Sequence, residues 1–442
     1  MSFVKNYFVS LIENLHLRVL GSPMGPGTRN LFKYFLYSLV GGGLSAGLLF
    51  IINVISGRIM GPAEYGKYAL VLSLLQVFVI PMLLSMDIAS IRSISIKQGS
   101  RVDVSKIIST GLTFVLTAIF SVAVISFLFS NKISNLLKIE VGIFQVAIIF
   151  SLVLSIKTYL DSLIRGLSEF KLQYIVRIIE AAVVAIAFVI IFFGFGIHRY
   201  FVYAFALAVG AAVTIAIFFS KKIINFFYIA YINKITFVKL WRFARLAIPS
   251  SIGGVLIVSA DKLIIGKYLG SYNLGIYNAY YTASVLLVIQ LGTIIANAFF
   301  PEISKQTDHL GIIKKLNKFI KIVSLPAIIL MSAITYLVLR FFGRSYGVDW
   351  FMVIGMSTYS ILNLIWIIYF WLISSRGNKG MAFTSLHYIV SGGIYLLLLI
   401  LFLPHLKLHA APIAFIISFI YIYFMIKVWE KKLRGEFQSD NG

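Results

Sequence analysis

Several of the long apolar runs in this 442-residue chain are interrupted by ionisable side chains. Lys157 and Asp161 lie four apart in one run, with Arg165 following, and Arg177 and Glu180 lie three apart in the next. Asp261 and Lys262 are neighbours in a later run, Asp87 closes the second, and Arg58 stands at the end of the first. A charge at mid-bilayer costs about 2.5–3.5 kcal/mol even on insertion scales, so each must face water or a partner. Cations lining an apolar cavity suit an anionic headgroup such as a pyrophosphate, because lysine supplies a point charge and arginine a two-pronged donor. On that chemistry Arg58, Lys157, Arg177 and Lys262 are candidates to hold the anion. Asp87, Asp161, Glu180 and Asp261 are candidates to bind a coupling H⁺ or Na⁺, or to act as charge partners.

A plainer role stays open for some of them. Lys157–Asp161 and Arg177–Glu180 have the spacing of self-neutralising pairs on one helix face. Arg177 and Arg58 are near enough to span ends to reach a headgroup layer. Asp261 and Lys262 resist that reading, since adjacent helical residues point about 100° apart and are not expected to neutralise one another. Trp366 and Trp371, with Tyr369 and Phe370, offer faces to sugar rings, although an interfacial belt is the commoner use of such residues. His387 stands alone in its run and is expected to pack.

The elements that must position these groups are helices. The chain is 60% hydrophobic and 12% charged, its mean hydropathy is +0.96, and a soluble domain carries about 25% charged residues. A crossing takes about 20 apolar residues, and the runs here are continuous rather than alternating, which excludes a β-barrel. The spans expected are 33–57, 66–86, 106–129, 141–162, 173–195 and 199–219, then 246–266, 276–299, 319–342, 350–373, 381–403 and 410–429. Residues 1–27 read as an amphipathic interfacial helix (Phe3, Tyr7, Phe8, Leu11, Leu15 and Val19 on one face) ending in a Gly/Pro linker. The domains expected are an N-terminal six-helix lobe at 28–220, a cytoplasmic linker at 221–241, a C-terminal six-helix lobe at 242–430 and a tail at 431–442.

The net charge of +24 would suit nucleic acid on a soluble surface, but these cations fall mainly in loops. Loops on the side of the two termini hold about three times the Lys and Arg of the others, which places both termini in the cytoplasm. No secretory signal is expected at the front. With no cysteine there is no thiolate nucleophile, disulfide or cysteine metal site. No P-loop, G-x-S-x-G or H-E-x-x-H occurs, and no outer loop exceeds about fifteen residues, so an enzyme such as a membrane glycan polymerase is disfavoured. No cofactor is expected beyond a coupling ion.

The chain also repeats itself at an offset of 209 residues. Gly57, Arg58, Gly61, Gly66 and Tyr68 match Gly266, Lys267, Gly270, Gly275 and Tyr277, and Leu31-Phe32-Lys33-Tyr34 matches Leu240-Trp241-Arg242-Phe243. The glycines Gly57, Gly61, Gly66, Gly266, Gly270 and Gly275 are read as turn residues. Six spans per half return the chain to its starting side, so the halves are parallel repeats. Carriers built this way hold substrate between halves and rock one against the other.

The strings ISGRIMGPAEYGKYALVLSLLQ at 55–76 and SADKLIIGKYLGSYNLGIYNAYYTAS at 259–284 resemble the polysaccharide-transporter branch of the multidrug/oligosaccharidyl-lipid/polysaccharide exporter superfamily, in particular the bacterial O-antigen and capsule repeat-unit flippases. The resemblance covers about residues 28–430. It implies a V-shaped, two-lobe bundle in the bacterial inner membrane that moves undecaprenyl-diphosphate-linked oligosaccharide outward by ion-coupled alternating access. It further implies a lipid-linked glycan partner, association with polymerase or chain-length machinery, and cavity positions for Asp261 and Lys262. A multidrug exporter of the same superfamily is the main alternative, disfavoured because the cations in the spans at least match the carboxylates.

Overall fold

The computed structural model describes residues 26–97, 99–292 and 309–439, so the expected interfacial helix lies almost wholly outside the described residues. Thirteen α-helices run in chain order: α1 Pro26–Leu83, α2 Met86–Lys97, α3 Arg101–Leu128, α4 Ser130–Leu137, α5 Val141–Gly166, α6 Phe170–Val189, α7 Phe201–Lys221, α8 Lys234–Val258, α9 Ala260–Tyr281, α10 His309–Phe342, α11 Trp350–Ser374, α12 Asn378–Leu406 and α13 Ala410–Ser439. No strand occurs among the described residues. Nine segments there are long and apolar enough to cross a bilayer. Three of them, of 42, 59 and 54 residues, are long enough to cross twice.

The internal repeat takes a definite physical form. Gly61 joins two helical stretches within α1 at φ 74°, ψ 170°, and Gly270 does the same within α9 at φ 81°, ψ 170°. A left-handed φ of this kind is open to glycine and costly for a residue with a β-carbon. The expected loops 58–65 and 267–275 are therefore single-residue elbows. The other four glycines correct the expectation that all six are turn residues, because they are helical and mark close approach. A β-carbon at Gly66 would lie 1.8 Å from the Ser271 carbonyl oxygen, and one at Gly275 would lie 1.8 Å from the Pro62 carbonyl oxygen. Ser271 is the repeat counterpart of Pro62, so each half places its glycine on the other half's backbone. Gly57 and Gly266 instead face Phe342 and Leu70.

Other contacts tie the halves at this end. Tyr65 donates to Asn53 Oδ1 at 2.9 Å and meets Thr282 Oγ1 at 3.1 Å, while Tyr346 donates to the Gly57 carbonyl. Toward the opposite end Ser85 and Ser251 hydroxyls meet at 2.9 Å, and the Arg92 guanidinium stacks 4.3 Å from the Phe243 ring. The link between halves, past Lys221, runs through two short 3₁₀ turns at Ile223–Asn225 and Ile229–Tyr231.

Candidate functional site

The span charges gather into two clusters, one in each half. The C-terminal cluster begins with a break in a helix. Ser259 leaves helical geometry at φ −133°, ψ −35° and separates α8 from α9. Asp261 then stands in the first turn of a new helix, where its carboxylate folds back to accept from the Lys262 backbone N–H at 2.8 Å. The Lys262 ammonium lies 3.5 Å from the same oxygen. This corrects the expectation that neighbours cannot neutralise one another. That rule assumes a continuous helix, and the helix is interrupted two residues upstream.

Asp261 is fully buried, at 0% exposure, and Lys262 nearly so, at 5%. The second carboxylate oxygen accepts from the Tyr277 hydroxyl at 2.5 Å and the Tyr395 hydroxyl at 3.3 Å. Tyr277 reaches it because the Gly270 elbow turns the chain back on itself, and Tyr395 comes from α12. Tyr281, one turn after Tyr277, places its ring centroid 3.4 Å from the Lys262 ammonium. Tyr359 on α11 caps the Ile257 carbonyl at 3.0 Å just before the break. Four tyrosines thus surround one ion pair, and none was singled out from sequence. Tyr277 had been noticed only as a repeat residue.

The N-terminal cluster lies on the α5–α6 hairpin, whose turn passes through Ser168 at φ 59°. Residues at comparable distances on either side of that turn meet. Lys157 Nζ bonds Glu180 Oε1 at 2.6 Å, and Asp161 Oδ2 lies 3.6 Å from both Arg177 and Arg165. Gln173 donates to Asp161 Oδ1 at 2.8 Å. The expected Lys157–Asp161 and Arg177–Glu180 pairs are therefore exchanged for pairs across the hairpin, which hold two helices together where same-helix pairs would hold one. Arg165 and Arg177 side chains remain about a third exposed, at 32% each. The buried Arg165 Nε has no hydrogen-bond acceptor. Sequence reading had noted Arg165 only as a neighbour, and it belongs in the cluster.

The Lys157–Glu180 bond carries a direct test. Reversing either charge alone should destabilise the hairpin, and the double variant Lys157→Glu with Glu180→Lys should recover much of the loss. A coupling of about 0.5–3 kcal/mol is expected for residues in direct contact. Thermal melting of the four proteins measures it, and strict additivity would mean the pair contributes nothing.

Of the remaining candidates, Asp87 lies near the N-terminal cluster, where its carboxylate interacts electrostatically with Arg165. Arg58 is exposed at the elbow end and makes no ion pair among the described residues. Asp87 opens α2 and is partly buried. Trp366, proposed for sugar stacking, is 2% exposed and packed against Phe370 and Tyr388, so it is core; Trp371 is 37% exposed. His387 bonds the Tyr421 hydroxyl at 2.6 Å and packs on Phe383, as its solitary position suggested. The two clusters share no hydrogen bond or ion pair among the described residues.

A cavity of 510 Å³ opens at the elbow end, lined by Asn273, Tyr280, Tyr346, Asp349, His405 and His409 among others, and contains none of the span charges. Asp349 caps α11 and lies 2.5 Å from His409 Nε2. Partial burial works to raise its carboxyl, but the His409 ring and the Met352 and Phe351 N–H groups outweigh that and hold it below the ordinary carboxylate range. No group of three or more metal-ligating side chains occurs among the described residues.

An all-helical bundle with nine described segments able to cross a bilayer, matching elbows at Gly61 and Gly270 and ion pairs between its helices has the form of a membrane transporter. Solved structures agree. An inward-facing multidrug resistance MATE transporter of the MOP superfamily superposes with a TM-score of 0.70 at 13% identity, over 90% of this chain and 96% of that one. An outward-facing one gives 0.68 at 12%, over 94% and 97%. A MOP superfamily transporter from Pyrococcus furiosus, noted for reversed polarity of its binding pocket, gives 0.66 at 12%, over 92% and 96%. The family follows from sequence: residues 31–307 match the polysaccharide biosynthesis protein family, and the chain belongs to it. A Shigella flexneri protein described as "Putative O-antigen transporter" is 25% identical over 341 residues, 71% of this chain and 75% of that one.

Proposed function

We propose that the chain is a flippase that carries undecaprenyl-diphosphate-linked oligosaccharide repeat units from the cytoplasmic to the outer leaflet by alternating access. The observation that carries this reading is the family match over residues 31–307 on a two-half transporter fold. Span chemistry supports the anionic end of the substrate. The α5–α6 cluster brings three cations, Lys157, Arg165 and Arg177, together with Asp161 and Glu180, and Asp87 of α2 interacts electrostatically with Arg165. Two arginine side chains, each about a third exposed, suit a phosphate better than a cationic drug. Coupling to an ion gradient belongs to the same proposal, with Asp87, Asp161 and Glu180 as the carboxylates that could respond to it.

Deletion of the gene in its host should abolish surface polysaccharide and accumulate the lipid-linked repeat unit on the inner leaflet. The wild-type chain should restore export, and Arg165→Ala with Arg177→Ala should not. A strain that keeps full surface polysaccharide without the gene, while gaining sensitivity to cationic dyes, would replace this reading with the drug exporter.

A further inference from the structure

The break at Ser259 does more than expose Asp261. In an unbroken helix the Lys262 N–H would bond the carbonyl four residues back, Val258. Here it turns to the Ser259 carbonyl at 3.2 Å and to the Asp261 carboxylate. The Val258 carbonyl, released from the ladder, accepts from the Lys262 ammonium at 2.6 Å instead. The ammonium is thus enclosed by a free backbone carbonyl, a carboxylate oxygen at 3.5 Å and the face of Tyr281 at 3.4 Å. A carbonyl, an anion and a π face together form a cage for a monovalent cation. The carboxylate is completely buried, so the cation that compensates it has to sit inside this cage.

We infer that Val258, Asp261, Tyr277 and Tyr281 form a monovalent-cation site that the chain fills with its own lysine, so that Asp261 takes no Na⁺ while Lys262 is in place. The other hydrogen bonds to Asp261 come from Tyr277 and Tyr395, which donate and therefore leave the negative charge needing a cation. Truncating the lysine leaves the carboxylate, carbonyl and ring face with an ammonium-sized vacancy between them. A small ion should occupy it.

The inference stands whether or not the chain carries a glycolipid, since its test reads the melting of purified full-length protein in detergent. Wild type should melt at the same temperature in NaCl, methylammonium chloride and choline chloride of equal ionic strength. Lys262→Ala should melt lower in choline and recover by at least about 2 °C in 100 mM methylammonium or Na⁺, as expected for a ligand well above its dissociation constant. Lys262→Gln, which fills the space with a neutral amide, should gain no response, and Asp261→Asn combined with Lys262→Ala should lose it. A wild type that Na⁺ stabilises as much as it does Lys262→Ala overturns the inference. So does a Lys262→Ala protein that ignores cations and is stabilised only by acid, because its carboxylate has then taken a proton. If Lys262→Ala is not recovered folded, Lys262→Ser offers the same vacancy, and the wild-type comparison decides independently.

Discussion

Asp261→Ala should be among the most damaging single substitutions in the protein. It removes the carboxylate beside an ammonium that is 5% exposed, and it takes the shared acceptor from the Tyr277 and Tyr395 hydroxyls. Breaking one side of a buried ion pair costs about 3–5 kcal/mol, because the survivor stays buried without compensation. Melting in detergent should fall accordingly, and export of surface polysaccharide should stop. The double variant Asp261→Ala with Lys262→Ala should be less unstable than the single one, since no naked charge remains. If Asp261→Ala melts within a degree of wild type and still exports, the pair has no structural or functional weight.

The second large effect concerns the contact between halves. Gly66→Ala would place a β-carbon 1.8 Å from the Ser271 carbonyl oxygen, against a normal carbon–oxygen separation of about 3.2 Å, and Gly275→Ala would do the same to Pro62. Both neighbours are backbone and cannot swing aside, so the halves must part by more than about 1 Å. Export should fall at least about tenfold, on the strength of the 1–3 kcal/mol typical of overpacking. The chain has no cysteine, so Thr282→Cys gives a clean reporter: buried beneath Tyr65, its thiol should react with maleimide far faster once either glycine is replaced. Gly43→Ala is the control, with nothing within 4 Å of the added carbon, and should be silent. Equal thiol reactivity in Gly66→Ala and Gly43→Ala would show that this contact does not govern separation of the halves.

Much of this architecture could be read before any coordinates. Continuous apolar runs pointed to helices, and the 209-residue repeat located both elbows, because one backbone conformation demanded glycine at the same place in each half. Other features were hidden for physical reasons. Gly61 and Gly66 look alike in a sequence, yet one is there for its φ and the other for the room it leaves a neighbouring carbonyl. Lys157 has Asp161 at helical spacing, but the hairpin through Ser168 offered it Glu180, and pairing of that kind is visible only once the turn is known. Asp261 and Lys262 were singled out but their relation was misjudged, because the helix break at Ser259 carries no glycine or proline to announce it. The tyrosines around them come from distant turns and a distant helix, and no local pattern connects Tyr395 with Asp261.

One consequence follows from the elbows. At Gly61 and Gly270 a single residue separates one helix from the next, so the polypeptide has no slack there. The passage between the halves, from Lys222 to Asn233, is held as well, because Ser109 and Thr110 of α3 bond its backbone at Phe226, Tyr228, Tyr231 and Asn233. Neither place stores spare length, so any shift of one half against the other has to be taken up by whole helices tilting, not by a connector uncoiling.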